Sequence, residues 1–71
     1  MCGIIGINSN KPVSVSIINS LKKLEYRGYD SAGIATLSRG LINEVKSEGR
    51  VDKLEKNSLV QNMEGTIGIG H

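Results

Sequence analysis

The sequence predicts a small chain of the α+β class. Three features carry that expectation. A short apolar run, Gly3 to Ile7, stops at the polar cluster Asn8-Ser9-Asn10. An apolar stripe at helical spacing follows Pro12. Two strand-like stretches then flank Ser38-Arg39-Gly40.

The elements follow in order along the chain. Gly3-Ile4-Ile5-Gly6-Ile7 reads as a buried strand that begins almost at the N-terminus and ends in a turn. Pro12 suits the first turn of a helix, where its missing N–H costs nothing. Val13, Ile17, Leu21 and Leu24 line one face of that helix, and Ile18 widens the stripe. Lys22 and Lys23 sit on the wet side near the negative end of the helix dipole. Gly28 is placed to take a left-handed conformation just past the helix, which is expected to end near Tyr26 or Arg27. Ala32 to Leu37 and Leu41 to Glu48 form a hairpin around Ser38-Arg39-Gly40, with the second strand wet on one side. Gly49 breaks it. Val51, Leu54 and Leu59 then mark a short amphipathic helix that ends near Asn57 and Ser58. From Gly65, Thr66-Ile67-Gly68-Ile69-Gly70 reads as a further strand, still in progress at His71. No internal repeat or low-complexity segment interrupts this pattern.

Size and composition restrict what such a chain can do. With 71 residues the core is marginal, because a chain this short hides only about 60% of the surface it exposes when unfolded. The apolar residues make up 38% and include two Tyr but no Phe or Trp, which suggests part of a domain rather than a whole one. Nine basic and seven acidic residues are interspersed, giving a net charge of +2 and no basic stripe, so nucleic acid is not an expected partner. No run approaches membrane-spanning length, and the first apolar run lacks the basic lead of a signal peptide. A cytoplasmic location with no membrane partner is the expectation. One cysteine cannot form an internal disulfide, and no thiolate pair is available for a metal. Neither a G-x-G-x-x-G nor a P-loop pattern occurs, so tight strand packing explains Gly3 and Gly6 better than phosphate binding.

A lone cysteine is ordinarily a small buried hydrophobe. Position alters that reading for Cys2. Initiator Met1 is normally removed ahead of a residue this small, leaving the thiol beside a free α-amine. An α-amine titrates at roughly 7.7 to 8.0 and a thiol at about 8.5, so the amine can take the thiol proton near neutral pH. Nucleophile and base then belong to one residue. The loop Arg27-Gly28-Tyr29-Asp30 has two readings on its residues alone. It is either a helix cap with a surface ion pair or a site wall in which Gly28 admits close backbone approach and Arg27 offers a planar donor array. His71, the only imidazole, is either an exposed bystander or the partner of Cys2 in a dyad.

Met1-Cys2-Gly3-Ile4-Ile5-Gly6-Ile7 resembles the start of the class II (N-terminal nucleophile) glutamine amidotransferases. Leu24-Glu25-Tyr26-Arg27-Gly28-Tyr29-Asp30-Ser31-Ala32-Gly33 is similar, almost letter for letter, to the corresponding block of the glucosamine-6-phosphate synthase branch. Amidophosphoribosyltransferases usually carry Gln-His-Arg-Gly-Gln-Asp there and asparagine synthetases His-Arg-Gly-Pro-Asp, so Tyr26 and Tyr29 favour the hexosamine branch. Gly65 to His71 resembles both the hexosamine and the phosphoribosyl branches. The resemblance runs from end to end.

That resemblance implies an N-terminal fragment of an Ntn-hydrolase four-layer αββα sandwich, with residues 1–71 a partial glutamine amidotransferase type-2 domain and one fragment of each layer represented. It implies Cys2 as the nucleophile with its own α-amine as base. Arg27, Gly28 and Asp30 would support the site, and His71 would lie at the edge of the substrate pocket. L-glutamine would be the substrate, with no metal and no organic cofactor. Fructose 6-phosphate would be reached only through isomerase (SIS) domains, which these residues do not include. The family continues after the position of His71 with Thr-Arg-Trp-Ala-Thr-His-Gly, whose arginine and threonine grip the glutamine carboxylate. The oxyanion-hole Asn-Gly comes later still. Without those groups the 71 residues are expected to be inactive alone and to need the remainder of a split enzyme. The alternatives are a non-catalytic remnant of a decayed or split gene, or a fragment of an amidophosphoribosyltransferase. A final strand left unpaired at the sheet edge is also expected, and with it poor folding of the isolated chain.

Overall fold

The computed structural model describes residues 3–25 and 31–71. Ile5–Asn8 form β1, Ser14–Leu24 form α1, Ser31–Ser38 form β2 and Leu41–Glu48 form β3. Two short helices, α2 (Val51–Glu55) and α3 (Ser58–Gln61), precede β4 (Ile67–Gly70). The four strands make one sheet in the order β1-β4-β2-β3, and every neighbouring pair is antiparallel. Because β4 runs against both β1 and β2, those two strands are parallel to each other. β1-α1-β2 is therefore a split βαβ unit whose gap is filled by the last strand.

Two expectations change at this point. The final strand is not an edge: β4 is paired on both sides, and the edges are β1 and β3. A sequence pattern marks a strand but not its partners, and those of β4 lie about thirty and sixty residues away along the chain. Nor do the described residues hold a fragment of each of four layers. Among the described residues there is one sheet, with one core of buried side chains between its inner face and the helices. The α+β class itself stands.

Alternation explains the packing. Ala32, Ile34 and Thr36 of β2, Val45 of β3 and Gly68 and Gly70 of β4 are buried, while Leu37, Ile42, Ile67 and Ile69 are exposed. Val13, Ile17, Ile18 and Leu21 of the α1 stripe are all buried, as the spacing predicts. Ile17, Ile34 and Leu54 have essentially no accessible surface, and burying a side chain of that size contributes roughly 1.5–3 kcal/mol. α1 can lie this close to the sheet because β4 offers it glycines. A Cβ at Gly70 would come within 2.5 Å of Ile17 Cγ2, and one at Gly68 within 2.8 Å of Ile17 Cδ1.

Pro12 lies just before the helix, since Val13 is the N-cap and Ser14 the first helical residue. The entry to β4 is fixed by three contacts. Thr36 Oγ1 donates to the Glu64 carbonyl at 2.6 Å, and Val13 N–H donates to the Gly65 carbonyl at 3.0 Å. Gly65 has φ +121°, and its missing Cβ leaves room for the Leu37 carbonyl oxygen, which would otherwise be 2.7 Å away. The expected second helix is divided in two. Asn57 Oδ1 accepts the Leu59 N–H at 2.8 Å and caps a new turn, so the apolar phase restarts. Val60 is buried in place of Leu59, which is 67% exposed.

Candidate active site

The register brings the ends of several elements together. Ile5, Gly70 and Ile34 lie in one row across β1, β4 and β2. One residue further, Gly33 and His71 exchange two backbone hydrogen bonds of 2.9 and 3.0 Å. Ser31 and Glu48 close the hairpin at the same end. Leu24, in the last turn of α1, reaches it too: a Cβ on Gly3 would stand 2.7 Å from Leu24 Cδ1. The start of β1, the exit of α1, the start of β2 and the end of β4 thus share one end of the sheet.

Of the residues that the sequence singles out, Cys2, Arg27, Gly28 and Asp30 lie outside the described residues. Their neighbours in the chain, Gly3, Glu25 and Ser31, are described and are found at this end. His71 is described and exposed. Since Gly68 and Gly70 face the helices, alternation puts His71 on the opposite, open face with Gly33 and Ser31. There it lines a groove of about 530 Å³ together with Ser31, Gly33, Glu44, Lys46 and Glu48. Ala32, Ile34, Ala35 and Ile69 complete the lining, so the groove is largely apolar with charged groups of both signs among them. Among the described residues no three His, Cys, Asp or Glu side chains gather as a metal site. No described helix is long and apolar enough to cross a membrane.

One residue at this end was not anticipated. The Glu25 side chain is only 9% exposed, and Arg50 Nη2 donates to its Oε1 at 3.1 Å. Its Oε2 accepts the backbone N–H of Val51, the first residue of α2, at 2.7 Å. A carboxylate at the C-terminal end of a helix opposes the helix dipole. That misplaced charge, directly after Lys22-Lys23-Leu24, is the signal in the sequence that Glu25 serves a neighbour rather than its own helix.

Comparison with known proteins adds descent to this geometry. No protein-family model matches the chain. It is 49% identical over all 71 residues to glutamine--fructose-6-phosphate aminotransferase [isomerizing] of Rhizobium meliloti (strain 1021), covering 12% of that protein. To the enzyme of the same name from Brucella abortus biovar 1 (strain 9-941) it is 52% identical, again over the whole chain and 12% of the relative. Along its whole length the chain is homologous to the N-terminal segment of these glutamine-dependent aminotransferases. It spans only about an eighth of the length of these curated relatives.

Two solved structures share the fold. The allosteric regulatory enzyme of purine biosynthesis superposes with a TM-score of 0.88 at 26% identity, over 99% of this chain and 15% of that one. Glutamine phosphoribosylpyrophosphate amidotransferase from B. subtilis, complexed with ADP and GMP, gives 0.87 at 26% identity over the same shares. Identity near one half to the aminotransferases, against about one quarter to the phosphoribosyl enzymes, puts this amidotransferase segment with the former branch. The Tyr26 and Tyr29 pattern predicts the same choice.

Proposed function

We propose that the chain supplies the nucleophile-bearing start of a glutaminase domain that releases ammonia from L-glutamine for glucosamine 6-phosphate synthesis. The observation that carries this reading is identity of about half along the entire chain to the aminotransferases, with a cysteine at position 2. In the proposed reaction the α-amine of Cys2 takes the thiol proton, and sulfur attacks the carboxamide carbon of glutamine. The C–N bond breaks, ammonia leaves with that proton, and a γ-glutamyl thioester remains. Water then attacks the thioester, freeing glutamate and restoring the thiol. Arg27, Gly28 and Asp30 support the nucleophile, and His71 forms the lip of the glutamine pocket.

Residues 1–71 make up part of a glutamine amidotransferase type-2 domain in this reading. Fructose 6-phosphate is handled by isomerase domains outside residues 1–71, no metal or organic cofactor takes part, and the reaction is cytoplasmic. The open face of the sheet, with Leu37, Ile42, Ile67 and Ile69, is where a second sheet of the sandwich would pack.

A chimera tests this. The matching first 71 residues of the Brucella abortus relative are replaced by this chain and glutamine-dependent ammonia release is measured. The chimera is expected to be active, and Cys2→Ala to lower the rate by at least about 10³-fold. A folded chimera as inactive as its Cys2→Ala form would instead mark the segment as a non-catalytic remnant. The 71-residue polypeptide by itself is expected to release no measurable ammonia.

A further inference from the structure

The proposed chemistry leaves Glu25 without a task, yet it is the most buried of the described ion-pair partners. Its bond to Val51 is to backbone, so it joins the last turn of α1 to the first N–H of α2 independently of any flexible side chain on the α2 side. The preceding residue, Leu24, lies against Gly3, where a Cβ would stand 2.7 Å from Leu24 Cδ1. One peptide bond separates Gly3 from Cys2. A continuous path of contact therefore runs from α2 through Glu25 and Leu24 to the start of the chain.

We infer that Glu25 is a positioning residue: it ties the exit of α1 to α2, holds Leu24 on Gly3, and so restricts the freedom of the chain start. The inference rests on the reading of Cys2 as nucleophile for its importance, but its test does not. With Glu25 in place, Gly3, the residue next to Cys2, is held by a packed neighbour, and the reactivity of Cys2 is expected to report that restraint. Without it the thiol of Cys2 is expected to react more nearly as it would in a free peptide.

The experiment follows alkylation by iodoacetamide against pH in the full chain with Met1 removed, beside the free peptide Cys-Gly-Ile. Cys2 is the only thiol, so loss of free thiol reports it alone. The unmodified chain is expected to differ from the peptide. Glu25→Gln, which keeps the shape but replaces one acceptor oxygen by a donor, is expected to move the rate about threefold or more toward the peptide, and Leu24→Ala to do the same. Lys22→Ala also removes a tie between α1 and α2, the 2.6 Å pair with Glu55, but at groups 41% and 43% exposed. It is expected to leave the profile where it was.

Hydrogen exchange at the Val51 amide supplies a readout that needs no variant. It is expected to be protected in the unmodified chain and to lose that protection in Glu25→Ala, which leaves no acceptor there. If Glu25→Gln does not fold, Leu24→Ala and Val51 exchange decide. A peptide-like profile in the unmodified chain, an equal shift in Lys22→Ala, or an unprotected Val51 amide would each overturn the inference. Iodoacetamide needs no glutamine pocket. An inactive chimera alongside a shifted Glu25→Gln profile would therefore count against the glutaminase reading alone, and an active chimera alongside unchanged profiles against the Glu25 tie alone.

Discussion

Gly68 and Gly70 show how a single missing methyl group sets the distance between α1 and the sheet. At Gly68 an added Cβ would meet Ile17 Cδ1 of α1 at 2.8 Å and press on the Ala35 carbonyl oxygen at 2.9 Å, and backbone in the centre of a sheet cannot give way. Gly68→Ala is expected to destabilise the chain by roughly 1–3 kcal/mol, read as a lower midpoint in urea. Gly3→Ala meets only the tip of a leucine side chain and is expected to cost less in the same assay. Arg39 is a contrasting case. It holds φ +54° beside Gly40 at +77°, so both central residues of the hairpin turn are left-handed, as a type I′ turn requires. Its pair with Glu64 spans 3.9 Å between side chains 84% and 65% exposed, so little is lost with the guanidinium. Arg39→Asn is expected to raise stability by up to about 1 kcal/mol, visible as a higher Tm, because asparagine tolerates this conformation better.

At the level of elements, the hairpin β2–β3 is the part most legible in the sequence. Its turn residues, its apolar runs and its wet second strand all point one way, and the pairing is local. α1 is nearly as plain, since its stripe has the correct period and every stripe residue up to Leu21 is buried. The region from 51 to 62 is less so. Val51 and Leu54 were identifiable as core, but Asn57 acts as a new N-cap rather than as the end of one helix, and this moves Val60 into the core. Asn57→Ala is expected to cost about 1 kcal/mol by removing the acceptor for the Leu59 N–H, and to speed amide exchange in α3 before that in α1. Glu25 was missed because its partners, Arg50 and Val51, stand about 25 residues away: its charge at the wrong end of α1 marks it as unusual, but nothing local says which element it serves.

Among the described residues, one sheet face is covered by helices and the other is open. Ile42, Ile67 and Ile69 on the open face are between 46% and 76% exposed, forming an apolar surface that favours self-association. Ile42→Thr keeps a β-branched residue on the edge strand. It is expected to change the unfolding free energy by less than about 0.5 kcal/mol while raising the concentration at which the chain begins to associate, measured by light scattering. The earlier expectation of an unpaired last strand does not supply a reason for poor folding, because β4 is the strand that joins β1 to the hairpin. Marginal stability is instead expected from the size of the core, which among the described residues comprises eleven buried apolar side chains.

The amino-acid sequence by itself determined the α+β class, the kind and approximate bounds of the strands and of α1, and the family. Each of these depends on local spacing or on residue identity in runs such as Leu24 to Gly33. Only the tertiary structure decided that β4 lies inside the sheet, that one sheet rather than parts of two is formed, and that Glu25 reaches across to α2. Strand partners and buried polar contacts join residues far apart in the chain. They are selected by the burial and hydrogen bonding of the whole fold, which no periodicity along the sequence records.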